Sequence, residues 1–237
     1  MKHWYLILLF VFPTFIHAKD KTISLSHLKP YEARFNYYIV EEEGIRAFAG
    51  TWTDKVLIAG DDVIRTVVRK PVQKSMDLIR VVSANRHTLY PNFLKQKFGD
   101  NLEGFYYSEF NERKLFQFYT PDDLTSSNHN LTEFENQIME TNLQGLFAVS
   151  LATQELQEIN VNAYIAGKSP GVKAVKFLNQ GLEKIEVMGE LMTTKRIHEP
   201  ASNWTYWVRN EAPYLVKVLH PSADGKLLMS EVVEFQE

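Results

Sequence analysis

The sequence predicts a mainly β protein: one strongly curved antiparallel sheet, or open barrel, of about a dozen strands wrapped around a single principal helix. Three observations predict it. Most of the chain alternates apolar and polar residues with a period of two, as strands with one buried face do. Glycine, asparagine, aspartate and proline interrupt that alternation at short intervals, as turns between neighbouring strands do. One stretch, around residues 140–156, follows a different period. Leu143, Leu146, Phe147, Ser150 and Gln154 fall three and four apart, with Leu151 at the flank, so they share one helical face. A lone helix between two runs of strands implies a sheet that bends around it.

The elements follow in order. Residues 19–30 are a polar leader without pattern. Residues 31–42 form the first strand, with Ala33, Phe35, Tyr37 and Ile39 on one face and Arg34, Asn36, Tyr38 and Val40 on the other. Glu41-Glu42-Glu43-Gly44 turns the chain. Residues 45–58 resume as a strand in which Gly50 marks a bulge or bend. Gly60-Asp61-Asp62 closes a hairpin onto residues 63–70, and residues 77–83 add a fourth strand. Pro91 suits a strand start, so a strand runs from Asn92 to Phe98. Residues 104–110 and 113–120 pair as an aromatic hairpin, apolar on both faces, which implies burial on two sides. Residues 121–132 read as a surface loop. Thr132 with Glu135 spells a capping box, which places the helix near residues 133–156. Residues 159–167, 172–178, 182–188, 191–198, 203–209, 214–220 and 226–235 then read as strands. Their turns include Lys168-Ser169-Pro170-Gly171 and Asn179-Gln180-Gly181. Without repeats or a low-complexity linker, residues 19–237 read as one domain.

Residues 1–18 read as a signal peptide: Lys2, an apolar run over residues 4–12, Pro13, and Ala18 ahead of Lys19. The run is too short for a permanent membrane helix, and no later segment approaches one. Cleavage after Ala18 would export the chain. It contains no cysteine. That excludes disulfides, thiolate metal sites, cysteine nucleophiles and lipid attachment at a lipoprotein site. An exported domain without disulfides points to a bacterial periplasm. A net charge of −3 gives no support to nucleic-acid binding.

The chemistry-bearing residues are sparse. His27, His87, His129, His198 and His220 are scattered, none three or four residues from another, so no metal-binding pair is spelled. Gly167-Lys168-Ser169-Pro170-Gly171 matches G-x-S-x-G letter by letter. A nucleophile elbow needs a helix after the serine, however, and Pro170-Gly171 opens a strand. Glu41-Glu42-Glu43, Asp61-Asp62 and Asp122-Asp123 sit at turns, not opposed across a cleft. No cofactor and no metal is implied, and the chain reads as non-enzymatic. The remaining signal is aromatic: 15 Phe, 11 Tyr and 4 Trp. Most belong in the core. Phe35, Tyr37, Trp52, Phe105 and Phe118, with Leu143 and Phe147 of the helix, are expected to line a cavity between sheet and helix.

A pattern runs through the second half: the Leu-rich helix at residues 142–156, strands at 159–166, 172–178 and 184–195, then Tyr206-Trp207-Val208, Pro213-Tyr214-Leu215-Val216-Lys217-Val218 and a closing strand at 227–235. The first half adds Phe35-Asn36-Tyr37 and Leu89-Tyr90-Pro91. This pattern resembles a family of exported bacterial proteins known only as a domain of unknown function. That family is similar in architecture to the periplasmic carriers that escort lipoproteins to the outer membrane, curved antiparallel sheets with helical cover over an apolar cavity. The resemblance implies a periplasmic binding or carrier protein for a hydrophobic ligand: a lipid, an acyl chain or a lipoprotein anchor. One alternative is an envelope assembly protein acting through its surface, with Trp204, Tyr206 and Trp207 beside an exposed sheet edge. Another is a hydrolase whose His and carboxylate converge only in the fold. The expected partners are a hydrophobic small molecule or lipid, or an envelope protein.

Overall fold

The computed structural model describes residues 23–41, 44–72, 77–121, 127–165, 171–222 and 224–237. The expected signal peptide and the serine of the G-x-S-x-G match lie outside them. Fifteen strands form one sheet. The first eight are β1 (Tyr31–Val40), β2 (Arg46–Ala59), β3 (Asp62–Pro71), β4 (Leu78–Asn85), β5 (Pro91–Phe98), β6 (Gly104–Asn111), β7 (Lys114–Thr120) and β8 (Asn128–Glu133). The short β9 (Met139–Glu140) leads through a 3-10 turn, Thr141–Leu143, into the helix α1 (Gln144–Thr153). The remaining strands are β10 (Glu158–Ile165), β11 (Gly171–Val187), β12 (Glu190–Glu199), β13 (Trp204–Val208), β14 (Leu215–Pro221) and β15 (Leu227–Gln236).

The spatial order is β8-β7-β6-β5-β4-β3-β2-β1-β15-β14-β13-β12-β11-β10-β9. Every neighbouring pair is antiparallel except β9 with β10. The chain therefore meanders outward from β1 to β8, crosses to the far end, and meanders back until β15 pairs with β1. That crossing dictates the shape. Laid flat, fifteen strands would separate β8 from β9 by about 65 Å, at about 4.8 Å per strand. Residues 134–138 join them, and so short a link reaches about 20 Å at most. The sheet has to curl until its ends meet.

They meet through side chains, and no backbone ladder joins them among the described residues. The Tyr164 hydroxyl on β10 donates to Gln117 Oε1 on β7 at 3.0 Å. The Phe134 and Tyr164 rings pack edge to face, 6.0 Å apart. Leu115, Ile138 and Tyr164 form a small buried cluster at this seam. The sheet is thus open in its hydrogen bonding and continuous in its packing.

The helix differs from the expected one. It spans Gln144–Thr153, not residues 133–156. Thr132, the expected cap, lies in β8, where the supposed surface loop forms an edge strand paired with β7. Glu140 caps the 3-10 turn that leads into α1, accepting the Asn142 backbone N–H at 2.5 Å, while Leu143, the N-cap residue of α1 itself, makes no side-chain cap hydrogen bond. Nor is α1 amphipathic, because every residue from Gly145 to Ala152 is buried. A helix apolar on all sides belongs inside the protein. It packs on β10, β11, β12 and β13, and Arg65 of β3 lies against Gly145. At its far end Lys195 Nζ donates to the Ala152 carbonyl at 2.7 Å, satisfying an orphan acceptor.

Three further expectations change. The leader is no patternless tail: Leu25 and Leu28 belong to the core, and Ser24 exchanges hydrogen bonds with Ser150 of α1. Asn179-Gln180-Gly181 is not a turn between two strands; β11 runs through it, with a register shift against β12. The aromatic hairpin β6–β7 is not buried on both faces, since Phe116 and Tyr119 are each 39% exposed. At Gly50 the register of β1 on β2 does shift, at φ +148°.

Candidate functional site

Alternation along the strands decides which side chains face the inside of the curl. On β3 these are Val63, Arg65, Val67 and Arg69; on β4 they are Leu78, Arg80 and Val82; on β2 they include Trp52 and Asp54. The interior is divided between packed core and open space. Above α1 lie two adjoining hollows of about 700 and 770 Å3. Arg80, Gln96, Phe98, Thr141 and Asn142 border both, so they form the partition. The smaller hollow is bounded by Trp52, Trp204, Tyr37, Tyr206 and aliphatic residues such as Val67, Leu78 and Leu228, together with Arg65 and Arg69. The larger runs toward the seam, past Tyr106, Gln117, Tyr119 and Tyr164.

The residues expected to line a cavity are distributed across three places. Tyr37 and Trp52 border the smaller hollow. Phe35, Leu143 and Phe147 are fully buried in the core. Phe35 stacks on Trp52 at 4.1 Å and so supports it from behind, and Phe147 packs on Phe177 at 5.8 Å. Phe105 and Phe118 lie on the opposite, outer face of β6–β7, paired with each other at 6.0 Å. The reason is phase. Tyr106 and Gln117, one residue away on each strand, take the inner face and hydrogen-bond to each other at 2.6 Å.

The polar residues of the interior, which no motif in the sequence marks, give the site its character. Arg65 forks onto Asp54, with Nε at 2.8 Å from Oδ1 and Nη2 at 3.0 Å from Oδ2, and Tyr31 adds its hydroxyl to Oδ2 at 3.3 Å. Asp54 is 1% exposed and Arg65 7%. Burial alone would lower the Arg65 pKa; the Asp54 charge and hydrogen bonds reverse that and raise it. Arg80 donates Nε to Gln96 Oε1 at 3.0 Å. Burial, and after it the neighbouring Arg69 and Arg65, push Arg80 down to about 10, against the pull of Glu140. Glu140 is itself 1% exposed. Burial pushes its carboxyl up to about 7, although Asn142 donates to it from backbone and side chain and Arg80 lies near. His220 stacks flat on Trp204 at 4.0 Å, and burial lowers its pKa. The arginines were recoverable in principle: Arg65, Arg69 and Arg80 sit at inward-facing positions of apolar strands.

The histidines expected to matter in a hydrolase are scattered. His87 Nε2 approaches Asp61 Oδ1 at 3.3 Å on an exposed turn, and His198 Nδ1 meets Thr205 Oγ1 at 3.1 Å. Gly171, which ends the G-x-S-x-G match, opens strand β11. Among the described residues no three His, Asp or Glu gather as metal ligands would. No described helix is long and apolar enough to cross a membrane. Trp204, Tyr206 and Trp207 lie on β13 between β12 and β14, not beside an edge. No protein-family model matches the chain, and no curated protein matches it in sequence.

Proposed function

We propose that this chain is a non-enzymatic binding or carrier protein, exported to the bacterial periplasm, whose ligand is lipid-like: an acyl chain, a lipid or a lipoprotein anchor. The observation that carries the reading is the smaller hollow. Its volume of about 700 Å3 suits one such molecule, and its walls combine aromatic and aliphatic side chains with a few polar groups. The sheet then acts as a half-barrel wound about α1, the shape implied by the likeness to exported domains of unknown function and to lipoprotein carriers. The buried helix keeps the floor of the hollow fixed.

The test is native mass spectrometry on the gently purified protein, followed by solvent extraction. A co-purifying acyl or lipid species in one-to-one ratio is the expected result. Trp52 and Trp204 both border the hollow, so added ligand should also change tryptophan emission in a saturable way. A clean apo mass together with no emission change on adding medium-chain lipids would overturn the proposal.

A second reading, an envelope assembly protein acting through its surface, draws on other features. Strand β8 ends the sheet with Leu131 67% exposed, and Leu182 and Leu191 on the β11–β12 hairpin are 73% and 69% exposed. Substituting Leu182 and Leu191 by Asp should then abolish a partner interaction while leaving ligand binding intact.

A further inference from the structure

We propose that the hollow contains an anion subsite, in which Arg69, Arg80 and the indole N–H of Trp52 hold the carboxylate or phosphate headgroup of an amphipathic ligand. This deepens the carrier reading and rests on it: the apolar walls take the chain, and the arginines take its charged end.

Register brings the groups together. Arg69 pairs directly with Trp52 on β2 and with Leu78 on β4. Arg80 pairs with Val67, so it stands diagonal to both Arg69 and Arg65 on the same face of the sheet. All border the smaller hollow.

Two of the nearby carboxylates are already committed. Asp54 is occupied by the Arg65 fork and by Tyr31. Glu140 is engaged by Asn142, and burial leaves it only partly ionised near neutral pH. Asp77 borders the hollow, and no ion pair joins it to these arginines among the described residues. Arg80 meets a neutral amide, Gln96. Arg69 has no ion-pair partner among the described residues. His220, which faces the same space, is held toward its neutral form. Among the described residues neither Arg69 nor Arg80 forms an ion pair, although Glu140 acts on Arg80 and Asp77 borders the same hollow.

Two orphaned donors point the same way. Trp52 Nε1 and Arg69 Nε are both buried, and neither finds an acceptor among the described residues. They belong to residues directly opposite each other across β2–β3. A buried donor without an acceptor is costly, and two on directly paired residues, beside guanidinium groups that form no ion pair among the described residues, fit an oxygen-rich anion. A neutral lipid could offer a hydroxyl or ester oxygen to these donors but no charge to set against the guanidinium groups. The planar guanidinium fork suits carboxylate and phosphate alike.

The experiment compares three ligands of one chain length on the full mature protein, each below its micelle concentration: decanoate, decyl phosphate and decanol, read by tryptophan emission and calorimetry. Either anion should bind at least about tenfold tighter than the alcohol, and the tighter of the two names the headgroup. In Arg69→Gln and Arg80→Gln that preference should collapse while decanol binding persists; Arg69→Lys should keep part of it. Equal affinity for anion and alcohol would overturn the subsite and leave the carrier reading standing. So would an anion preference that survives both Gln variants in folded protein. No binding by any of the three would overturn the carrier reading, and the subsite with it. If a Gln variant does not fold, the discrimination shown by the unmodified protein decides.

Discussion

At Arg65 and Asp54 an ion pair stands inside an apolar sheet, and its neighbourhood is built to permit it. Gly145 is the helix residue that faces the guanidinium, where a Cβ would come within 2.8 Å of Nη1. The pair joins β2 to β3 where Gly145 of α1 lies against it, and breaking it should be costly. Arg65→Met leaves Asp54 charged and buried, so it should lower unfolding free energy by about 3–5 kcal/mol in urea titrations. Adding Asp54→Leu should recover much of the loss, because two apolar residues need no compensation there. Glu140 gives a second prediction with a defined sign. Its folded pKa of about 7 lies above the ordinary 4.5. Between those values the folded state keeps a proton that the unfolded state releases, so its contribution falls as pH rises from about 4.5 to about 7. Relative to Glu140→Gln, the natural protein should lose on the order of 3 kcal/mol across that window. A relative gain in stability over the same window would show that the Arg80 charge outweighs desolvation.

Among the elements, those resting on two-residue alternation were legible in the sequence. The strands from Tyr31 to Thr120 fall within a few residues of their expected places, because each buries one face against a common interior. What failed was local chemistry overridden by long-range contacts. Thr132 and Glu135 spell a cap, yet Asn128–Glu133 pairs with β7 and becomes a strand. The stripe on α1 suggested one buried face, yet the sheet closes over all of them. Asn179-Gln180-Gly181 reads as a turn, yet β11 passes through it and absorbs the extra residues as an irregularity. The arginines are illegible for a related reason: charge on a strand suggests its solvent face, and here the curl turns that face inward. The two irregular glycines should respond differently. At Gly181, φ is +95° and a Cβ would meet nothing within 4 Å, so Gly181→Ala should cost only the backbone strain, about 1–2 kcal/mol. At Gly50 a Cβ would come within 2.5 Å of the Lys70 carbonyl and 2.6 Å of Pro71 Cα, both backbone atoms. Gly50→Ala should therefore lower the thermal midpoint clearly more than Gly181→Ala. Equal shifts would show that β2 and β3 can separate at the bulge without penalty.

For the whole molecule, the seam is the one meeting of sheet ends held by side chains alone among the described residues, and the larger hollow reaches it. Every other neighbouring pair of strands shares a ladder of backbone hydrogen bonds, whereas β7–β8 and β10 meet through Tyr164, Gln117, Phe134 and a cluster of three buried residues. Such a join can part without disturbing the rest of the sheet, so it should open at a free energy below that of global unfolding. The larger hollow runs up to it, bordered by Gln117 and Tyr164 themselves. A ligand entering there would reach the arginine-lined space past Arg80 and Asn142, which border both hollows. Hydrogen exchange should resolve this opening. Amides of β8, which has a partner on one side only, should exchange well before those of β2 and β3. Tyr164→Ala should quicken β8 further while leaving β2 and β3 unchanged. It should also speed ligand uptake more than it alters affinity, because the arginines and Trp52 lie elsewhere on the wall. Uniform acceleration across all strands would instead mean that the seam and the sheet unfold together, and entry would then have to be sought away from the seam.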